Sequence, residues 1–267
     1  MEKVFENSSA ADIEAKLHYD TFEHTKNVKI SLIIGFFVLM FLFRGFISYW
    51  LKFGVAIPTG FSMTPINTAE EPVQKNYTPK ESAEKAFVYK SLINGHKIKI
   101  IPVAHYELSG LIVANNHDFL FVSDFFDSAA LYDLGAAWGK LGKKNIYRKY
   151  FKCYSSKNEV SGSRVLWTEW HGAIPFTKEY ASSHWSHSHI VPANNNVMAA
   201  LLKLKRWQDV KIEGELVDME YRYPNGIVQN SYTSMSRNDG GWSGDRGNGS
   251  CEVVYVTKVQ IGNFIYE

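Results

Sequence analysis

Three of the nine histidines fall within the six residues His184-Trp-Ser-His187-Ser-His189. Imidazole is a common metal ligand, and its reference pKa of about 6.5 also suits acid–base work near neutral pH. Zinc takes three or four donors from His, Cys or carboxylate in tetrahedral array. On a strand, His187 and His189 share a face while His184 points away. On a helix, His184 and His187 are neighbours and His189 is not. Pro192 disfavours a helix here. At most two of the three can therefore ligate together from regular structure, and a third donor, such as His171, His117 or Asp118, has to arrive by folding. The candidate metal set is His184, His187 and His189, with a divalent cation the one cofactor indicated. A competing expectation is a polar turn. In it, one His satisfies backbone groups at the start of the helix announced by "PANNN", because helix starts leave N–H groups without partners.

Three further features could carry chemistry. "GKLGKKNIYRKYFK" interleaves Lys143, Lys144, Arg148 and Lys149 with Tyr147, Tyr150 and Phe151. Such a pattern suits an anionic surface or polymer, and also a solvated basic loop. Trp138 and Trp185, with Trp167 and Trp170, offer stacking faces for a small ligand or polysaccharide, unless they are core. "SRNDGGWSGDRGNGSCE" sets Asn238, Asp239, Asp245 and Asn248 among glycines, but without the spacing of a calcium-binding loop it reads as a long hairpin loop. Cys153 and Cys251, the only two cysteines, could pair as a disulfide in an oxidising compartment. There is no G-x-S-x-G elbow, P-loop or dinucleotide fingerprint.

The elements that must position these residues follow from the hydropathy pattern. Residues 30–51, "ISLIIGFFVLMFLFRGFISYWL", carry one charge, Arg44. A hydrocarbon core of about 30 Å takes about 20 apolar residues, so the expectation is a single transmembrane helix over 28–51. Lys26 and Lys29 before it place the N-terminus inside, with Tyr49 and Trp50 at the far interface. The predicted organisation is a cytoplasmic arm over 1–27, this helix, an extended linker or strap over 52–83, and an extracytoplasmic β-rich domain over 84–267.

Within that domain, "DVKIEGELVDMEYRY" alternates as a strand, and "YPNGI" supplies a hairpin turn. "HKIKIIPVAHYELSGLIVANN" reads as two β-segments broken near Pro102. "SDFFDSAALYDLGAAWGK" and "NNNVMAALLKLKRW" read as helices. The predicted class is α+β: the transmembrane helix, then a small-barrel domain of the oligomer-binding (OB-like) type with two or three short helices.

The stretches Tyr106–Gly110, Asp133–Gly139, His189–Ala193, Gly214–Val217, Arg237–Asp239 and Gly247–Glu252 resemble, in type and order, a group of uncharacterised bacterial proteins that are membrane-anchored or exported. The chain departs from that pattern by a longer glycine loop between Asp239 and Gly247. The resemblance implies a bacterial envelope setting and brings no activity.

The net charge of +2 argues against a protein whose main task is gripping a phosphate backbone, so no nucleic acid is expected. With no complete catalytic set, the leading expectation is a single-pass protein of the bacterial inner membrane. Its periplasmic domain would bind or scaffold other envelope proteins, as a monomer or an oligomer beside the lipid bilayer. The alternatives are a metal-assisted hydrolase using His184, His189 and a distant carboxylate, and a periplasmic module binding a small ligand or polysaccharide.

Overall fold

In a computed structural model of the chain, residues 28–38, 51–117, 125–157, 164–236 and 251–267 are described. The chain divides into two units, Met1–Lys52 and Phe53–Glu267.

In the first unit the described residues 28–38 are helical. Among the described residues no helix is long and apolar enough to cross a membrane. The expected transmembrane helix is corrected accordingly. The inner-membrane location, the cytoplasmic N-terminus and the periplasmic placement of the C-terminal domain rested on that span and fall with it. Residues 39–50 of the span, and the arm over 1–27, lie outside the described residues.

The second unit is mostly β-sheet. In chain order its strands are β1 (Gly60–Phe61), β2 (Val73–Asn76), β3 (Phe87–Lys90), β4 (Lys97–Asn116), β5 (Tyr132–Ala137), β6 (Phe151–Lys157), β7 (Arg164–Trp170), β8 (Trp185–Pro192), β9 (Asp209–Arg222), β10 (Val228–Ser231), β11 (Glu252–Ile261) and β12 (Phe264–Tyr266). Five short helices accompany them among the described residues: α1 (Pro79–Lys85), α2 (Phe125–Ala129), α3 (Lys144–Tyr150), α4 (Lys178–Ser183) and α5 (Asn195–Leu201). The stretch read as a linker or strap supplies β1, which pairs with β12, and β2, which pairs with β4.

Five strands close on themselves. Strand β4 pairs with β5, β5 with β8, β8 with β11 in parallel, β11 with β9, and β9 back to β4. Two-residue periodicity drives the closure. Along β4, Ile98, Ile100, Ala104, Tyr106 and Leu108 are buried, whereas Lys97, Lys99, His105 and Glu107 turn outward. The register shifts between Pro102 and Ala104, so the strand crosses its proline at a bulge instead of ending there. Each fully buried Ile or Leu contributes roughly 1.5–3 kcal/mol. Gly214 marks the tightest approach. A Cβ there would collide with the backbone carbonyl of Tyr255 on β11, so β9 can fit between β4 and β11 only with glycine at that point.

Outside the ring, β6 and β7 form a separate two-stranded ribbon. Its inner side joins Leu111, Val113, Tyr147 and Trp185 in a second apolar cluster. Helix α5 begins at Asn194, whose side chain accepts from the Val197 amide, as the Asn-rich sequence predicts.

Candidate functional site

Strand β8 begins one residue after His184, and this decides which histidines meet. His187 and His189 lie on one face of β8. Register fixes their neighbours. On one side, antiparallel β5 places Asp133 opposite His189 and Gly135 opposite His187. On the other side, parallel β11 pairs Glu252 with Ser188 and Val253 with His189, which brings Cys251, just before β11, beside His187.

The result is a compact set of donors. One ligand atom from each of His187, His189 and Cys251 can be chosen so that all three lie within 4.8 Å of one another. His189 Nδ1 is 2.8 Å from Asp133 Oδ1. A carboxylate only accepts, so this nitrogen carries the proton and the lone pair of His189 is on Nε2. His187 Nδ1 is 3.4 Å from Cys251 Sγ. Its Nε2 is 3.9 Å from Asp133 Oδ1, too far for a hydrogen bond. That nitrogen is buried with no hydrogen-bond partner among the described residues. Burial alone would pull the His187 imidazole below its ordinary value, but Asp133 and Cys251 outweigh it and hold the ring above.

Asp133 is fully buried and His187 is 6% exposed, whereas Cys251 and His189 are half-buried. The site therefore has a closed back and a more open front. Phe126 of α2 meets His189 edge-on, with ring centroids 5.0 Å apart. A buried carboxylate behind a metal-ligating imidazole fixes its tautomer and orientation. A thiolate with two imidazoles favours zinc-class metals over calcium or magnesium. In a tetrahedral site with two nitrogen ligands and one sulfur, the ligand atoms lie about 3.3–3.6 Å apart, so these atoms would need to close in by at most about 1.2–1.5 Å.

The other predicted residues lie elsewhere. His184 caps the end of α4. Its Nδ1 faces the Tyr180 carbonyl at 2.8 Å and its Nε2 faces Glu71 at 2.9 Å. Neither partner is shared with the pair on β8. Among the alternative third donors, His117 stacks on Tyr132 and His171 is exposed in the turn after β7. Asp118 and the glycine-loop residues Asn238, Asp239, Asp245 and Asn248 lie outside the described residues.

Cys153 and Cys251 are both free; Cys153 sits in the apolar cluster under the β6–β7 ribbon and Cys251 beside His187. Burial pushes the Cys153 thiol up to about 11, the state of an inert core cysteine.

Trp138 and Trp185 are 1% and 8% exposed and serve as core, with the Trp138 indole N–H donating to Glu71. Trp167 and Trp170 are more open, at 38% and 43% exposed. Lys143, Lys144, Arg148 and Lys149 lie exposed on and just before α3.

Sequence reasoning missed Asp133 and the role of Cys251 at this site. The signal was faint: one acid second in a buried strand, and one cysteine directly before another. Compared with known proteins, the chain matches no protein-family model and no curated protein.

Proposed function

We propose that this protein binds a zinc-class divalent cation through His187, His189 and Cys251, and that the centre performs metal-assisted hydrolysis. The observation that carries the reading is the meeting of two imidazoles and a thiol from β8 and the start of β11, backed by buried Asp133. Three protein donors leave a fourth position for water, the pattern of catalytic zinc centres. Asp133 is already engaged with His189 Nδ1, so it serves behind the ligands rather than among them. Such a centre lowers the pKa of bound water to about 7 and polarises a carbonyl or phosphoryl oxygen. The half-buried Cys251 and His189 leave the front of the site open to a substrate.

The test is metal analysis of the purified full chain, with hydrolysis of nitrophenyl phosphate and nitrophenyl acetate before and after chelation. The expected result is one zinc-class ion per chain and a rate that disappears with chelator and returns with zinc. Protein that takes up no stoichiometric metal even when zinc is supplied contradicts the reading.

A further inference from the structure

A cavity of about 560 Å³ lies between helix α1 and strands β4 and β9. Cavities of about 300–1,000 Å³ are the size that holds small organic ligands. The local sequence explains how it forms. Thr78 and Glu81 close a capping box around the start of α1, with Pro79 in the first turn. The helix therefore begins directly after Tyr77, whose amide donates to the Val103 carbonyl of β4 at 2.8 Å. Over the strands it presents the small side chains of Ser82, Ala83 and Ala86 to the cavity, which leaves space that larger side chains would fill.

The lining carries both signs of charge. In the β4–β9 register Lys99 pairs with Glu220 and Ile101 with Asp218. Lys99 and Asp218 are thus diagonal neighbours on one face, a separation of about 7–8 Å in a regular antiparallel pair. Both line the cavity. Asp218 is 6% exposed, and its Oδ1 accepts from the Thr233 amide at 3.1 Å. Lys99 Nζ lies 4.0 Å from Glu220 on a half-exposed side chain. Two neutral donors share the lining. Ser82 is buried, and its hydroxyl makes no hydrogen bond among the described residues. Asn76 Oδ1 accepts from Gln74 at 2.8 Å, while its Nδ2 makes none among them. Pro79, Ala83, Ile101, Val103 and Met235 supply an apolar wall.

We propose that this cavity binds a small zwitterion with an apolar body, namely a free amino acid with a large apolar side chain. Asp218 takes the ammonium and Lys99 the carboxylate. Ser82 and Asn76 offer further donors, and the ligand's side chain lies on the apolar wall. A carboxylate has about four acceptor positions, so Asp218 can take an ammonium beside the bonds it makes within the chain. A plain organic acid would set its carboxylate against Asp218 and Glu220, with one lysine to offset them. A plain amine would be repelled by Lys99 and would leave the donors of Ser82 and Asn76 unmet. A ligand with both charges close together satisfies both ends of the diagonal. The site shares no residue with the proposed metal centre and does not depend on it.

The test is isothermal titration calorimetry of the full chain with L-phenylalanine, with phenylpropionate, which lacks the ammonium, and with phenethylamine, which lacks the carboxylate. Phenylalanine should bind, and each analogue should bind about 10- to 150-fold more weakly, the range for losing one hydrogen bond to a charged group. Lys99→Ala should weaken phenylalanine by a similar factor and leave phenethylamine no weaker. Asp218→Asn should do the reverse, weakening phenylalanine and leaving phenylpropionate no weaker. Circular dichroism first checks the fold of that buried variant, and Lys99→Ala decides alone where it does not fold. The proposal is overturned if phenylalanine and leucine both fail to bind at millimolar concentration. It is equally overturned if either analogue binds as tightly as phenylalanine, or if Lys99→Ala binds phenylalanine as the parent does.

Discussion

Two places on the ring bring three potential metal ligands together: His187, His189 and Cys251 around β8, and His105, Glu107 and Glu213 across β4 and β9. They differ in what already surrounds the ligands. In the second group Lys211 Nζ is 2.9 Å from Glu107, Lys258 Nζ is 3.2 Å from Glu213, and His105 Nε2 is 3.2 Å from Glu107. Every carboxylate has a cation, and the groups are half-exposed, so this is a surface ion-pair network that needs nothing more. Around β8 a nitrogen of His187 is buried without a hydrogen bond. A buried polar atom without a partner costs about 1–3 kcal/mol. Proximity of ligand atoms alone does not distinguish the two groups; their burial and the partners already in place do.

The largest contrast should come from removing a ligand in each place. His189→Ala is expected to weaken zinc binding by more than the roughly 10- to 100-fold typical of losing a group behind a ligand. Glu213→Gln should leave zinc content unchanged. Competition with a chelating indicator dye reads both. Equal losses would erase the distinction.

A smaller effect is expected from Lys211→Ala. The hydrogen bond from Lys211, and then that from His105, hold the Glu107 carboxyl below its ordinary value of 4.5. A lowered folded-state value stabilises the fold fully above about pH 4.5, and that contribution is lost as pH falls through the folded-state value. The substitution should therefore cost under about 1 kcal/mol near neutral pH, and its effect should shrink in acid. Urea unfolding of both proteins at about pH 7 and about pH 3 measures this. A cost that grows in acid would contradict the network.

How much of this was legible in the sequence varies by element. Strand β9 was readable because its outer face is polar, so Val210, Ile212, Gly214 and Leu216 stand out by alternation. The Asn-Gly turn after it forms as expected, with Gly226 at φ +86°. Strand β5 was not readable. Tyr132–Ala137 is buried on both faces, so alternation vanishes and the segment merges with the short helix α2 before it. The site inherits that difficulty, because Asp133 is the second residue of β5 and meets His189 only through strand register. The pairing of His187 with His189 follows from a period of two and needed only the knowledge that β8 is a strand. The parallel neighbour that supplies Cys251 is a tertiary fact, since 64 residues separate it from His187. The apolar run over 30–51 has the composition of a membrane span, yet composition did not establish a helix of the required length.

The central claim is that Cys251, not Cys153, is a metal ligand beside His187 and His189. Loading the purified full chain with cobalt(II) and recording its absorption spectrum tests it directly, because a thiolate bound to cobalt gives a near-ultraviolet charge-transfer band. The band should appear with one equivalent of cobalt, persist in Cys153→Ser and vanish in Cys251→Ser. A spectrum without the band, or a band that survives Cys251→Ser, contradicts the account.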